Sequence, residues 1–154
     1  MKNETLTTGN LVPAFALKDQ DGNTFSSADY LGKKKMVIYF YPKDESAICT
    51  KEACAFRDSY ADYQDAGAIV VGINSGSVES HKKFQTHHRL PFTLLSDPDN
   101  QVLKSFGIKN VLFLTGRETF VVDLNGEIAF KFRGFLNGNE HSEKVLEFLN
   151  STNF

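Results

Sequence analysis

The sequence feature that most constrains the fold is MVIYFY at positions 36–41, an unbroken apolar and aromatic run that stops at Pro42. Such a run is typical of a strand that is buried on both faces of a sheet, because neither face carries polar side chains. AIVVGI at positions 68–73 repeats the pattern. A sheet buried on both faces must be covered by helices, so the two runs indicate an α/β protein.

Helical periodicity follows each of these runs. After the first run, apolar residues recur with helical spacing and a glycine ends the segment: Cys49, Ala53, Phe56, Tyr60, Tyr63 and Gly67. After the second run, Ser77 precedes a predicted helix over 79–87 as its N-cap. The remaining predicted elements are a strand at 94–95, a short helix over 100–106, strands at 119–122 and 127–132, and a last amphipathic helix over 140–149.

Turn residues mark two antiparallel hairpins. Asp21-Gly22-Asn23 separates two short apolar stretches near the N-terminus, and Asp123-Leu124-Asn125-Gly126 leads into the strand at 127–132. A βαβ half is therefore joined to a ββα half. This order predicts a thioredoxin-like fold, with a mixed central β-sheet flanked by helices and an N-terminal β-hairpin.

Composition limits the class of protein. A length of 154 residues with 41% hydrophobic residues is enough to close one core, so a single domain over 1–154 is expected. The net charge is −2 and the basic residues are scattered, which argues against a nucleic-acid partner or an anionic membrane surface. No segment approaches the roughly 20 apolar residues that span a bilayer.

The N-terminal segment MKNETLTTGN bears on location. It has neither the apolar core of a signal peptide nor the arginine- and serine-rich character of a transit peptide. A cytoplasmic location is therefore expected, although a plastid stromal protein would look the same after removal of its transit peptide.

The two cysteines are too few for a disulfide framework or a tetrahedral zinc site. Cys49 lies where a buried strand gives way to a helix, the place where unpaired N–H groups and the helix dipole favour a negative charge. A helix N-terminus also stabilises the thiolate form of a cysteine. The residues thus allow a reactive Cys49, while most free cysteines are simply small buried apolar residues.

Cys54 follows Cys49 by five residues within the same predicted helix. Five residues rise about 7.5 Å along a helix and turn the side chains about 140° apart, which is too far for a disulfide without backbone movement. A bond between Cys49 and Cys54 would therefore require the first turns of the helix to unwind. The alternative is that Cys54 is a packed structural thiol.

The segment YFYPKDESAICTKEACAFRD contains Pro-x-x-x-Ser-x-x-Cys and resembles the active site of the peroxiredoxins. Within it, Cys-Thr-x-x-Ala-Cys-x-Phe-Arg-Asp resembles the bacterioferritin-comigratory or peroxiredoxin Q subfamily. The similarity extends along the chain through SVESHKKF, LPFTLLSDPD and GRETFVVD. It implies reduction of hydrogen peroxide and organic hydroperoxides in antioxidant defence, recycling by thioredoxin or a similar dithiol reductant, and neither a metal nor a bound cofactor.

The same resemblance implies roles for five residues. Cys49 corresponds to the peroxidatic cysteine, and Cys54 to the resolving cysteine that closes an intramolecular disulfide with it. Pro42 corresponds to the proline that shields the thiolate and shapes the loop. Ser46 holds the position whose hydroxyl bonds the thiolate and the peroxide, and Arg117 matches the arginine that favours the thiolate and steadies the transition state.

Other interpretations of these residues stay open. Without the resemblance, Arg117 would be an ordinary surface charge and Ser46 a turn or capping residue.

A thiol-disulfide oxidoreductase on the same fold is one alternative function, although its usual signature is Cys-x-x-Cys. A redox sensor or chaperone-like binding module is another. An internal disulfide needs no second subunit, so a monomer is expected.

Two further expectations concern local detail. Ala47-Ile48 stands where the subfamily usually has Pro-Gly, which narrows the allowed backbone conformations and adds bulk beside the pocket. The four histidines are expected to be solvated: His81, His87, His88 and His141. The adjacent pair is not expected to form a metal site, because neighbours on a helix point about 100° apart.

Overall fold

The structure, a computed structural model, describes residues 5–108, 117–134 and 138–151. Its strands are β1 (Ala16–Asp19), β2 (Thr24–Ser26), β3 (Lys35–Phe40), β4 (Ala68–Asn74), β5 (Thr93–Ser96), β6 (Glu118–Val122) and β7 (Ile128–Arg133). Its helices are α1 (Ala47–Asp58), α2 (Tyr60–Asp65), α3 (Val78–His88), α4 (Gln101–Ser105) and α5 (Gly138–Ser151), with short 3-10 turns at Ser27–Asp29 and Pro98–Asn100. The predicted order of elements is confirmed.

All the described strands form one mixed sheet in the order β2-β1-β5-β4-β3-β6-β7. β3 pairs in parallel with β4 and antiparallel with β6, which joins the two halves of the fold. β1 and β2 form the predicted N-terminal hairpin. The thioredoxin-like fold class predicted from the sequence is confirmed.

The apolar run at 36–41 is buried on both faces, as its composition predicts. Val37, Tyr39 and Tyr41 face a core that also contains Cys49 and side chains of α1, α3 and α5. Because side chains alternate along a strand, Met36, Ile38 and Phe40 face the opposite core, where α4 packs. Cys49 therefore lies in the first of these two cores, on the face of the sheet that α1, α3 and α5 cover.

The helix predicted to run unbroken through Tyr63 is divided at Ser59. Ser59 has φ −104° and ψ 10°, outside the helical region, and α2 begins at the next residue. Serine is a residue whose hydroxyl competes with helical backbone bonds. Beyond the break, the hydroxyl of Tyr63 donates to the carbonyl of Ser142, which ties α2 to α5.

Within residues 5–108, 117–134 and 138–151, no helix combines the length and apolar character needed to cross a bilayer.

Candidate active site

Ser46 begins the helix that carries Cys49. Its hydroxyl oxygen accepts a hydrogen bond from the backbone N–H of Cys49 at 3.4 Å, which makes Ser46 the N-cap of α1. The same hydroxyl donates to the carbonyl of Lys43 at 3.2 Å. The Ser46 hydroxyl thus caps α1 in this structure, and its hydrogen bond to a thiolate or peroxide stays a prediction.

Ala47 and Ile48 form the start of α1. Neither has a positive φ, whereas Glu45, just before the cap, has φ 65°. The helical conformation here does not require the glycine that the subfamily usually has at this point. The replacement therefore introduces no backbone strain into the described conformation.

Cys49 is the third residue of α1, and its side chain is only 1% exposed. The N–H groups in the first turn of a helix have no helical partners and form the positive end of the helix dipole. This end favours a negative charge on a nearby sulfur. Pro42, which follows β3 by two residues, is half-buried in the loop that leads to this helix. The loop and helix hold the thiol at the carboxyl end of β3.

Strand register brings Arg117 to this thiol. Phe40, the last residue of β3, lies opposite Glu118 of β6, so Arg117 stands just beyond the end of β3. The Nη2 atom of Arg117 lies 3.1 Å from Sγ of Cys49, and the arginine side chain is buried. A guanidinium that donates to sulfur at low dielectric stabilises the thiolate form. The structure therefore brings Cys49 and Arg117 together and does not leave Arg117 on the surface.

Glu52 is a part of this site that the sequence patterns did not predict. It lies one turn after Cys49 on α1 and is completely buried. Its Oε1 accepts a hydrogen bond from Nη1 of Arg117 at 2.7 Å. Burial raises the pKa of Glu52 to about 8, although the charge of Arg117 and its hydrogen bond oppose the shift.

The pKa of Arg117 is raised from its ordinary value. Burial of the guanidinium alone would lower it, but the negative forms of Glu52 and Cys49 beside it outweigh that effect. Arg117 is therefore a fixed positive charge shared between one carboxyl group and one sulfur atom.

His141 of α5 closes the far side of the Glu52 carboxyl. Its Nε2 faces the carbonyl oxygen of Gly134 at 2.9 Å, so Nε2 carries the proton. Its Nδ1 lies 2.7 Å from Oγ1 of Thr119 and accepts a hydrogen bond from that hydroxyl. Nδ1 is also 3.4 Å from Oε2 of Glu52. Burial, with a smaller effect from Arg117, lowers the pKa of His141 to about 4, so the ring is neutral near pH 7.

Two polar atoms of this network have no hydrogen-bond partner within the described residues: Oε2 of Glu52 and Nε of Arg117. Buried polar atoms are normally paired, and such exceptions are frequent at functional sites. Both atoms belong to the Glu52–Arg117 pair, whose guanidinium lies 3.1 Å from Sγ of Cys49.

His81 and His141 are both completely buried, so the expectation that the histidines are solvated is wrong for them. Each lies on the apolar stripe of its helix, His81 with Phe84 on α3 and His141 with Val145 on α5. Their ring nitrogens find partners inside the protein, which makes burial tolerable. Histidines at core-facing positions of amphipathic helices were the signal that could have revealed this.

Asp44 of the loop is the partner of His81. Nδ1 of His81 lies 2.6 Å from Oδ2 of Asp44, and Nε2 lies 3.0 Å from the carbonyl oxygen of Leu95. Asp44 also accepts hydrogen bonds from the hydroxyls of Tyr41 and Ser80. Burial of Asp44 raises its pKa. The hydrogen bond and charge of His81 and the hydrogen bonds of the two hydroxyls lower the pKa by more, so the net shift is downward. This cluster anchors the loop before Cys49 to α3.

His87 and His88 at the end of α3 are 64% and 18% exposed, and both contact Glu45 of the loop. Although neighbours on a helix point about 100° apart, both rings reach the same carboxylate. The two side chains bend toward each other, with ring centroids 4.1 Å apart, because Glu45 offers one carboxylate oxygen to each ring.

Cys54 also lies on α1, and its side chain is partly exposed. α1 is unbroken from Ala47 to Asp58, and both cysteines are free thiols. The structure therefore places Cys54 on the helix of Cys49 but does not join the two sulfur atoms.

Glu52 and His141 could have been found from helical spacing. Glu52 follows Cys49 at i+3, and His141 precedes Val145 and Leu149 at four-residue intervals. A charged or titratable residue on an apolar stripe has no solvent and needs a partner. The partner of Glu52, Arg117, depended on the strand register.

The chain is similar to proteins of one known family. Residues 8–131 match the AhpC/TSA family. Peroxiredoxin Q, chloroplastic, of Sedum lineare is 47% identical over 148 residues, which cover 95% of this chain and 79% of that protein. The chain spans 67% of the length of the corresponding Suaeda salsa protein, at 46% identity over 93% of this chain.

A solved structure gives the same result for the fold. The peroxidoxin BcpB of Mycobacterium tuberculosis superposes with a TM-score of 0.90 at 32% identity, over 97% of this chain and 99% of that one. The family match, the plant relatives and this structural likeness agree with one another. The chain belongs to the AhpC/TSA family and, within it, to the peroxiredoxin Q and bacterioferritin-comigratory subfamily.

Proposed function

We propose that this chain is a thiol peroxidase that reduces hydrogen peroxide and organic hydroperoxides through Cys49. The observation that carries the proposal is the 3.1 Å contact between Nη2 of Arg117 and Sγ of Cys49 in a buried site at a helix N-terminus. A thiolate is the reactive form of cysteine, and both features favour it.

In the proposed first step the Cys49 thiolate attacks the terminal peroxide oxygen. An S–O bond forms as the O–O bond breaks, so sulfur is oxidised and the peroxide is reduced. The leaving alkoxide or hydroxide takes a proton and departs as alcohol or water. The guanidinium of Arg117 lies beside the sulfur, where negative charge moves from the thiolate to the leaving oxygen. Because the guanidinium is already in position, it lowers the barrier without a rearrangement of the site. The product on the enzyme is a Cys49 sulfenic acid.

In the proposed second step the thiolate of Cys54 attacks the sulfenic sulfur of Cys49. The S–S bond forms, the S–O bond breaks, and the hydroxyl leaves as water. This reaction requires α1 to open, because the two thiols lie five residues apart on an intact helix. The first turn is held by the 3.4 Å capping bond of Ser46 and by the 2.8 Å bond from the N–H of Thr50 to the carbonyl of Ser46, and both must break on opening.

A dithiol reductant of the thioredoxin type would then return both cysteines to thiols by disulfide exchange. The substrate range we propose is supported by the bacterioferritin comigratory protein of Xanthomonas campestris, whose solved structures concern its alkyl peroxide reduction activity. That protein is 26% identical, with a TM-score of 0.84. A cytoplasmic or plastid location and a monomeric state are parts of the proposal that fractionation and sedimentation would test.

A thiol-disulfide oxidoreductase remains the second functional hypothesis, and a redox sensor the third. A dithiol exchanger would reduce protein disulfides but not peroxide. A sensor would be oxidised once and would recycle slowly. The buried position of Cys49 favours the peroxidase, because a protein disulfide is a much larger substrate than a peroxide.

The decisive experiment is intact mass and non-reducing peptide mapping after one equivalent of hydrogen peroxide, followed by turnover with thioredoxin and its reductase. The proposal expects loss of two hydrogens with a Cys49–Cys54 crosslink, and sustained peroxide consumption. Cys54→Ser is the matched control and should gain one oxygen at Cys49. A stable single-cysteine product in the wild-type chain would contradict the resolving role of Cys54.

A further inference from the structure

The loop before the reactive helix and the end of α3 share a cluster that the reaction does not use. The cluster is Glu45, His87 and His88, hereafter the Glu-His-His cluster. Oε2 of Glu45 lies 2.7 Å from Nδ1 of His87, and Oε1 lies 2.5 Å from Nε2 of His88. Two imidazoles and one carboxylate thus converge from two separate elements.

The geometry suits a small divalent cation. One ligand atom from each of the three side chains can be chosen so that all lie within 4.8 Å of one another. Zinc bonds to imidazole nitrogen and carboxylate oxygen are about 2.0–2.2 Å long, which puts ligand atoms of a tetrahedral site roughly 3.3 Å apart. The side chains of His87 and Glu45 are 64% and 46% exposed, so they can move apart by the small amount required.

The backbone of the cluster is held in place from outside it. Asp44, the neighbour of Glu45, is bonded to His81 at 2.6 Å and to Ser80 at 2.7 Å, both on α3. The backbone of Glu45 is therefore held beside α3 whether or not the Glu45 side chain makes a contact. A site whose ligands are already positioned loses less entropy when the cation binds.

We propose that the Glu-His-His cluster binds one divalent transition-metal ion of the zinc class, with water completing the coordination on the solvent side. Two imidazoles and one carboxylate form a ligand set that zinc accepts with an open fourth position. By the general order of affinities, Ni²⁺ and Cu²⁺ would bind the same donors and Mg²⁺ would not compete.

The bound ion has a structural consequence for the helix. Glu45 directly precedes Ser46, the N-cap of α1. A metal that joins Glu45 to two residues of α3 restrains the point from which the first turn of α1 must unwind. It would therefore slow formation of the Cys49–Cys54 disulfide. This consequence rests on the proposed function, whereas the metal site itself does not.

Binding is tested by calorimetric titration of Zn²⁺ into the full chain carrying Cys49→Ser and Cys54→Ser, which removes thiol ligands for zinc. We expect one saturable site. Glu45→Gln and His87→Gln, made separately in that background, should each weaken binding roughly tenfold or more. Glu79→Gln, an exposed glutamate on the same helix, is the matched control and should leave it unchanged. No saturable site, or equal binding by Glu45→Gln, would overturn the assignment.

The restraint is tested by single-turnover oxidation of the chain with both cysteines, with and without Zn²⁺. We expect zinc to slow disulfide formation several-fold in the wild-type protein. In Glu45→Gln the slowing should be distinctly smaller, because only zinc bound to the two thiols themselves would still act there. Equal slowing in both proteins would refute the restraint. If no Cys49–Cys54 disulfide forms even without zinc, the resolving step of the proposed function fails, while the binding result still decides the metal site.

Discussion

The carboxyl group of Glu52 and the guanidinium of Arg117 meet in a fully buried contact, with Oε1 and Nη1 2.7 Å apart. The other terminal nitrogen of the same arginine lies 3.1 Å from Sγ of Cys49. One positive charge is thus available to two acidic groups. When Glu52 is protonated, the charge of Arg117 acts on the sulfur alone, and when Glu52 ionises its carboxylate competes with the sulfur for that charge.

Glu52 should make stability fall as pH rises. Its pKa is about 8 in the folded protein against an ordinary value of 4.5, so the folded state keeps a proton that the unfolded chain releases. His141 has the opposite effect, since its pKa of about 4 lies below its ordinary 6.5 and its contribution to stability rises with pH between those values. Between pH 6.5 and 8 the pH dependence of stability therefore reflects Glu52 rather than His141.

In that window one proton corresponds to about 1.4 kcal/mol per pH unit, or about 2 kcal/mol in total. We expect the unfolding free energy of the wild-type protein to fall by about this much more than that of Glu52→Gln, whose side chain does not titrate. Urea unfolding at several pH values measures both. Parallel curves would mean that Glu52 is already ionised at the lower pH.

Replacement of Arg117 should slow the first chemical step. Arg117→Ala removes the donor to Sγ, so we expect slower alkylation of Cys49 by iodoacetamide at neutral pH and roughly 100-fold slower oxidation by peroxide. Arg117→Lys keeps the charge but not the fork that reaches both partners, and should be intermediate. Stopped-flow oxidation and alkylation rates check this.

The control for Arg117 is Arg89→Ala, which removes an exposed arginine at the end of α3. It should leave both rates unchanged. If Arg117→Ala alkylates at the wild-type rate across the pH range, the contact with sulfur does not influence the thiol.

The two cysteines should separate into distinct roles. Cys49→Ser should lose peroxidase activity altogether, because no other thiol lies at the start of a helix among the described residues. Cys54→Ser should react with peroxide once and then recycle poorly with thioredoxin. Steady-state turnover and product masses distinguish the two variants. Wild-type turnover by Cys54→Ser would remove it from the cycle.

Ser46 offers a test of helix opening with an internal control. Ser46 and Ser77 cap α1 and α3 through the same contact, to the N–H three residues on. Ser46→Ala and Ser77→Ala should each cost about 1 kcal/mol of stability. Only Ser46→Ala should speed formation of the Cys49–Cys54 disulfide, by up to about fivefold, since its lost cap eases unwinding.

The peroxide step adds a second readout for the same pair. If the hydroxyl of Ser46 also bonds the substrate, Ser46→Ala should slow oxidation of Cys49 and Ser77→Ala should not. Equal rates of disulfide formation in the two variants would contradict the opening of α1 from its N-terminus.

The sequence by itself determined the sheet strands, the position of Cys49 at a helix start and the family. These depend on local pattern: the two apolar runs, the capping serines, and a motif that lies within twenty residues of chain. Local patterns survive folding because side-chain alternation and helical spacing are properties of neighbouring residues.

Only the tertiary structure decided which charges meet. Arg117 reaches Cys49 because β3 and β6 pair in a register that sets Phe40 opposite Glu118. His141 reaches Glu52 from α5, and Glu45 reaches two histidines of α3. These contacts join residues 42 to 89 positions apart in the chain. A buried charge requires a partner whatever its sequence distance, and the burial itself exists only once the layers have packed.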